Sequence, residues 1–230
     1  MQEPVESQSI QGASHPLFRA SAPLPFDNNY NTAIPDFQTM IRDDAFFTSI
    51  SEKHTLALLL YLKDAASTVI LKDLQHITNH TQTLRMRLDE MEEDGLVDIE
   101  ITSGMHRTVN IILTDLGNEI ALMLSMVNSL VTPEKDVKEK SIDMKYADPI
   151  LRILRGHRFL MQADILKVIP IYRNVVKVLA ALEDDGLVRS ELSKEKNKNI
   201  RYSLTSKGKQ VADAFQFAYE KIKSTNSDLP

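Results

Sequence analysis

The chain has 230 residues, a length that suits one large domain or two small ones, and 43% of them are hydrophobic, enough for ordinary globular cores. It contains no cysteine, which excludes disulfides, thiolate nucleophiles and Cys-ligated zinc or iron–sulfur centres. The net charge of -5 is unevenly spread: residues 1–145 carry 12 Lys+Arg against 22 Asp+Glu, while residues 146–230 carry 15 against 10, so the C-terminal half is the part suited to a polyanion.

Residues 1–47 hold five of the nine prolines and show no periodicity, so they read as a disordered or loosely packed N-terminal arm. Its phenylalanines, among them Phe46 and Phe47, are candidate anchors for a protein partner. The start lacks the basic and apolar segments of a secretory signal, and no stretch is apolar for long enough to span a membrane. The expectation is a cytoplasmic protein with no membrane contact.

Regular structure is expected from Ser49, where Ser49-x-x-Glu52 has the form of a capping box opening a helix through Leu62. Leu71, Leu74 and Ile77 predict a short helix over 71–77. Leu84, Leu88 and Met91 predict a longer one over 80–94, closed by Gly95. The period then changes to two: Val97, Ile99 and Ile101, then Val109, Ile111 and Leu113, predict a hairpin around Gly104. Thr114 opens a last helix through about Leu130. Its apolar residues nearly encircle it, which predicts an interface with a second chain or with the other half of this one.

The pattern then repeats. Glu92-Glu93-Asp94-Gly95-Leu96-Val97 matches Glu183-Asp184-Asp185-Gly186-Leu187-Val188, and Leu113-Thr114-Asp115-Leu116-Gly117 matches Leu204-Thr205-Ser206-Lys207-Gly208, both at an offset of 91. The second unit is therefore expected as helices over 146–156, 162–168 and 171–185, a hairpin over 187–204 and a last helix over 206–223. The expected organisation is an arm over 1–47, domains over 48–132 and 146–223, a linker over 133–145 and a frayed tail over 224–230. The fold class is mainly α with small β-hairpins (α+β).

Helix, Leu-Glu-x-x-Gly-Leu-Val, hairpin and Leu-Thr-x-x-Gly together resemble the winged helix-turn-helix regulators, especially the MarR-like and related archaeal ones. The resemblance covers about 85 residues in each unit. It implies two winged-helix domains in tandem, double-stranded DNA as partner, a homodimer, and a place with the nucleoid. It also implies that the third helix of each unit enters the major groove and that the hairpin, or wing, touches the backbone. The candidates this places on DNA in the first unit are Gln82, Thr83, Arg85 and Arg87 on the helix and Arg107 on the wing. In the second they are Tyr172, Arg173, Asn174 and Lys177, with Lys194, Lys196, Lys198 and Arg201 on the wing. Gln82 suits adenine and Arg85 suits guanine, because their forks match those base edges. Lysines on a hairpin suit phosphate contacts.

The first unit is acidic, with 6 Lys+Arg against 12 Asp+Glu over 50–131, so the second is expected to be the main phosphate binder. No phosphate-cradling glycine loop and no nucleophile elbow appear. His76 and His80 straddle a turn and read as polar turn residues rather than metal ligands. The expectation is therefore a transcriptional regulator, not an enzyme, with no cofactor and no metal. Two other readings share the fold: a protein-interaction scaffold of a chromosome-segregation or transcription complex, with its partner on the arm or the first unit, and a plasmid-type replication initiator.

Overall fold

The computed structural model describes residues 46–65, 67–78, 80–102, 108–131, 140–192 and 200–227. The first repeat runs α1 (Thr55–Ala65), β1 (Val69–Ile70), a 3-10 helix (Leu71–His76), α2 (Thr81–Glu93), β2 (Val97–Thr102), β3 (Thr108–Leu113) and α3 (Asp115–Leu130). The second runs α4 (Ala147–Arg155), β4 (Leu160–Met161), α5 (Gln162–Val168), α6 (Tyr172–Asp184), β5 (Val188–Leu192), β6 (Ile200–Leu204) and α7 (Ser206–Ser227). Each repeat carries a small antiparallel sheet, ordered β1-β3-β2 and β4-β6-β5. The fold is mainly helical with two such sheets. The edge strands β1 and β4 are not foreseen from the sequence, because two residues are too short to show alternation.

The two matched motifs are architectural, and the structure gives each residue a task. The glycine ending α2, Gly95, has φ 70° and its counterpart Gly186 has φ 68°, a left-handed turn that costs glycine nothing. The turn lets the Leu96 N–H reach back to the Met91 carbonyl at 2.8 Å, as Leu187 does to Leu182 at 2.8 Å, and it sends both leucines into the core. Glu92 accepts a hydrogen bond from the Ile99 N–H, and Glu183 from the Ser190 N–H, so each acid pins the first strand of its hairpin to the preceding helix. Thr114 caps α3 by accepting from the Gly117 N–H at 2.9 Å and donates to the Gly95 carbonyl at 2.6 Å; Thr205 does the same for Gly208 and Gly186. A Cβ on Gly117 would sit 1.9 Å from the Leu96 carbonyl oxygen, and one on Gly208 1.8 Å from that of Leu187.

Helix α1 begins at Thr55, five residues later than the capping-box reading places its first helical residue. Residues Ser49–Ser51 form a separate 3-10 turn, and His54 takes a left-handed φ of 75° that breaks the chain direction before α1. Glu52 does not reach back to cap; it pairs with Arg87 and Lys145. The second repeat has the same entry, displaced by 92 residues: a 3-10 turn at Ser141–Asp143 and a left-handed Tyr146, φ 74°, before α4. The duplication thus extends through the first helix, with a one-residue change of register ahead of the first strand. Sequence comparison at a single offset stops short of it.

These entry turns hold the repeats together. The Ser49–Ser51 turn packs on α4, the Ser141–Asp143 turn packs on α1, and α3 packs on α7. Asp143 accepts from the Ala57 N–H in the first turn of α1, while Ser51 donates to Asp148 at 2.6 Å and accepts from the Tyr146 N–H at 3.0 Å at the start of α4. Each repeat therefore closes the first helix of the other. Contacts that are reciprocal in this way are isologous, the signature of two-fold pairing. Here both partners belong to one chain and to one compact unit, residues 35–230.

Two segments expected to be unstructured take part in this interface. Ser141 and Ile142, expected in the linker, are buried. Phe46, at the end of the expected arm, is buried against the Arg152 guanidinium, which lies 4.2 Å from its ring centroid and 4.1 Å from that of Tyr219. Arg152 also donates to Asp148 and to the Phe46 carbonyl. Helix α7 continues through Ser227, past the expected fray at 224. Residues 1–45 and 132–139 lie outside the described residues.

Candidate nucleic-acid interface

Helices α2 and α6 occupy equivalent places, each thirteen residues long and each backed by the buried side of its own repeat. Leu84, Leu88 and Met91 anchor α2; Val175, Leu179 and Leu182 anchor α6. That burial turns one stripe of each helix outward. On α6 it is Arg173, Val176, Lys177 and Ala180, all exposed, with Tyr172 beside them and 62% exposed at the helix start. Asn174 is half-buried. The stripe holds two cations and no acid over its length.

The matching stripe on α2 is Gln82, Arg85, Met86 and Asp89, also exposed, with Thr83 half-buried. Asp89 offsets the charge of Arg85. Arg85 also lines a groove of about 760 Å³ between α2 and the hairpin, walled by Ile70, Lys72, Asp89, Ile101 and Val109. The structure therefore brings Gln82 and Arg85 onto one face, as expected, but gives that face little net charge.

Arg87 is a correction. It is buried, paired with Glu52 at 3.2 Å and also with Glu90, and its guanidinium is not on the outward stripe. Helical spacing decides this: Arg87 sits beside Leu88 and one turn after Leu84, on the inward side. Its counterpart in α6 is Val178, which is buried as an apolar side chain. Around this pair, burial raises the Glu90 carboxyl above its ordinary value, with Glu52 and Asp94 adding to the rise and Arg87 and Lys145 opposing it.

Arg201 is not grouped with the α6 stripe either. It lies in β6, and its guanidinium covers the ring of Phe159 at 4.4 Å from the centroid. Its neighbour Tyr202 packs against the core, so alternation turns Arg201 to the opposite face of the sheet. Burial raises the Tyr202 hydroxyl above its ordinary value, with Glu183 and Tyr172 of α6 adding to the rise. On the outer face Arg201 joins Arg158 and Arg189, two cations the sequence reading does not select. Arg189 is legible as outward by alternation from buried Val188, but its nearness to Arg158 follows only from the pairing of β4, β6 and β5. Arg107, Lys194, Lys196 and Lys198 lie outside the described residues.

No family model matches the chain, and no curated protein does. Among the described residues no cluster of His, Asp and Glu has the form of a metal site. His76 bonds through Nδ1 with the Asp73 carbonyl at 2.6 Å and packs edge-on against Tyr61. Among the described residues no helix is long and apolar enough to cross a membrane.

Proposed function

We propose that this chain is a DNA-binding transcriptional regulator of two tandem winged helices, with the second repeat as the main phosphate binder. The observation that carries the reading is the contrast between the two outward stripes. Arg173 and Lys177 stand on α6 with no acid among them, while the same stripe on α2 sets Asp89 against Arg85. Two cations one turn apart on an exposed helix suit a groove flanked by phosphates. Arg173 and Asn174 are the base-reading groups, Lys177 a backbone contact, and Tyr172 an adaptable one at the helix start. The reading assigns no catalytic step and no cofactor, and it places the protein with the cell's DNA.

Isologous pairing inside the chain supports a particular mode. Two-fold-related elements stand at equal heights along their axis, so α2 and α6 offer two reading heads to one pseudo-dyad of a duplex without a second chain. A homodimer is then not needed for a two-part site, and the two half-sites are unequal.

The test uses the full chain, because the repeats close each other's helices. Arg173→Ala with Lys177→Ala is expected to weaken binding to a random duplex at low salt by roughly ten- to a hundredfold and to flatten the log–log salt slope by about two. Unchanged affinity and slope refute the assignment. A second reading, a protein-interaction scaffold, is favoured by one feature of α3: Leu122 (59% exposed), Met126 and Leu130 form an exposed apolar stripe. A stoichiometric protein partner, with no duplex binding at low salt, decides for it.

A further inference from the structure

The second sheet carries a charged pocket on the face turned away from α6, and the first sheet has the same backbone without the charges. The pocket encloses about 310 Å³ and is lined by Arg158, Phe159, Arg189, Glu191, Arg201 and Ser203. Pairing assembles it from three strands. Arg201 sits on the central strand opposite Glu191, Arg189 is opposite Ser203, and the chain entering β4 brings Arg158 and Phe159 to the other edge. Phe159 supports the Arg201 guanidinium from below at 4.4 Å. Arg189 donates through Nε to Ser203 at 2.9 Å, which holds its fork at the rim. Glu191 lies 3.7 Å from Arg189 and offsets one of the three positive charges.

The first repeat supplies the internal comparison. At an offset of 91 the same positions hold Ser67, Thr68, Asp98, Glu100, Asn110 and Ile112. Their register is the same, with Asp98 opposite Ile112 and Glu100 opposite Asn110. At these six positions the second repeat presents three guanidiniums and one carboxylate, and the first presents two carboxylates and no cation. The fold therefore forms without these arginines. They lie outside the core, so packing does not explain them, and guanidiniums brought together on one sheet face raise the local potential toward an anion.

We infer that Arg158, Arg189 and Arg201 form a phosphate-binding pocket on the outer face of the second sheet, separate from the α6 stripe. Guanidinium forks match a phosphate's oxygens in pairs, and the aromatic floor fixes the orientation of one fork. The phosphate has two possible sources. It belongs to the backbone of the bound duplex, reached beyond the groove that α6 occupies, or to a free phosphorylated compound acting as an effector. The first source rests on the DNA-binding reading; the second does not.

The test is Arg158→Gln with Arg189→Gln in the full chain, since both side chains are exposed and their loss leaves the core intact. Two titrations are run on parent and variant: a random duplex across a salt series, and inorganic phosphate by calorimetry at constant ionic strength. If the phosphate is the duplex's, the variant loses roughly tenfold or more in duplex affinity at low salt and its salt slope falls by about two. If it belongs to a free compound, the parent binds inorganic phosphate, the variant binds it roughly tenfold more weakly or not at all, and the duplex slope is unchanged. Parent and variant that agree in both titrations overturn the pocket. A parent that binds no duplex at all refutes the DNA-binding reading, and the phosphate titration alone then decides the pocket.

Discussion

Replacing Arg87 with valine tests whether the first repeat stores stability in an ion pair that the second repeat makes from apolar contacts. The Arg87 side chain is 8% exposed, and its partners Glu52 and Glu90 are 22% and 33% exposed. Removing one partner from a fully buried pair costs about 3–5 kcal/mol, and from an exposed pair about 1 kcal/mol or less. Both glutamates keep some water, and Glu52 keeps Lys145 at 2.7 Å. The intermediate expectation for Arg87→Val is therefore about 2 kcal/mol of lost stability, or about 4–8 °C in Tm for a chain of this size. The second repeat holds Met144, Val178 and Ala181 at the positions of Glu52, Arg87 and Glu90. Copying all three into the first repeat (Glu52→Met, Arg87→Val, Glu90→Ala) is expected to restore stability to within about 1 kcal/mol of the parent, since apolar replacement of a whole buried pair is close to neutral.

Urea unfolding followed by circular dichroism measures both differences. The pH dependence gives a further reading. Glu90 binds its proton more tightly folded than unfolded, so its charged form opposes stability at neutral pH, and the opposition fades as pH falls into the ordinary carboxyl range. Arg87 is the larger of the two groups that restrain this rise, Lys145 the other, so the deficit of Arg87→Val should be larger at pH 7 than at pH 5. A deficit below about 0.5 kcal/mol, the level of an ordinary surface change, or a triple variant no more stable than the single one, refutes the reasoning.

Other expectations are narrower. Gly208→Ala should cost about 3 kcal/mol or more, because its Cβ meets the Leu187 carbonyl oxygen. Gly186→Ala, which has a left-handed φ but nothing within 4 Å of the new Cβ, should cost about 1 kcal/mol; equal losses in urea unfolding contradict the close approach. The Asp164 carboxyl is held below its ordinary value by the hydrogen bond from Lys167 and by the Met161 N–H, against desolvation. Its stabilising contribution is therefore present above the ordinary carboxylate pKa and is lost as pH falls through the lowered one. Asp164→Asn should be slightly less stable than the parent at pH 7 and equal to it at the acid end; a deficit that persists there assigns the role of Asp164 to something other than charge.

Much of this protein is legible in its sequence, because local rules act over short spans. The change of period from 3.6 to two at Val97 and Val188, the glycines that follow α2 and α6, and the threonines that cap α3 and α7 each leave a signature a few residues long. Those signatures place α2, α6, both hairpins and the helices after them to within a residue or two at most starts. The sequence also separates the charge of the two halves and marks α6 as the more basic of the two equivalent helices.

What the sequence alone does not decide depends on partners far along the chain. The Ser49-x-x-Glu52 pattern has the form of a cap, yet Glu52 answers Arg87 and Lys145, 35 and 93 residues away in number. Arg87 looks like one more cation on a helix that carries several, and only the packed core shows that it points inward. The one-residue shift that relates the entry turns, the exchange of those turns between the repeats, and the three arginines on one sheet face all come from tertiary contacts. Periodicity reports which side of an element is apolar; what the other side meets is set by the closing of the chain on itself, through the free energy of burying surfaces that lie far apart in sequence.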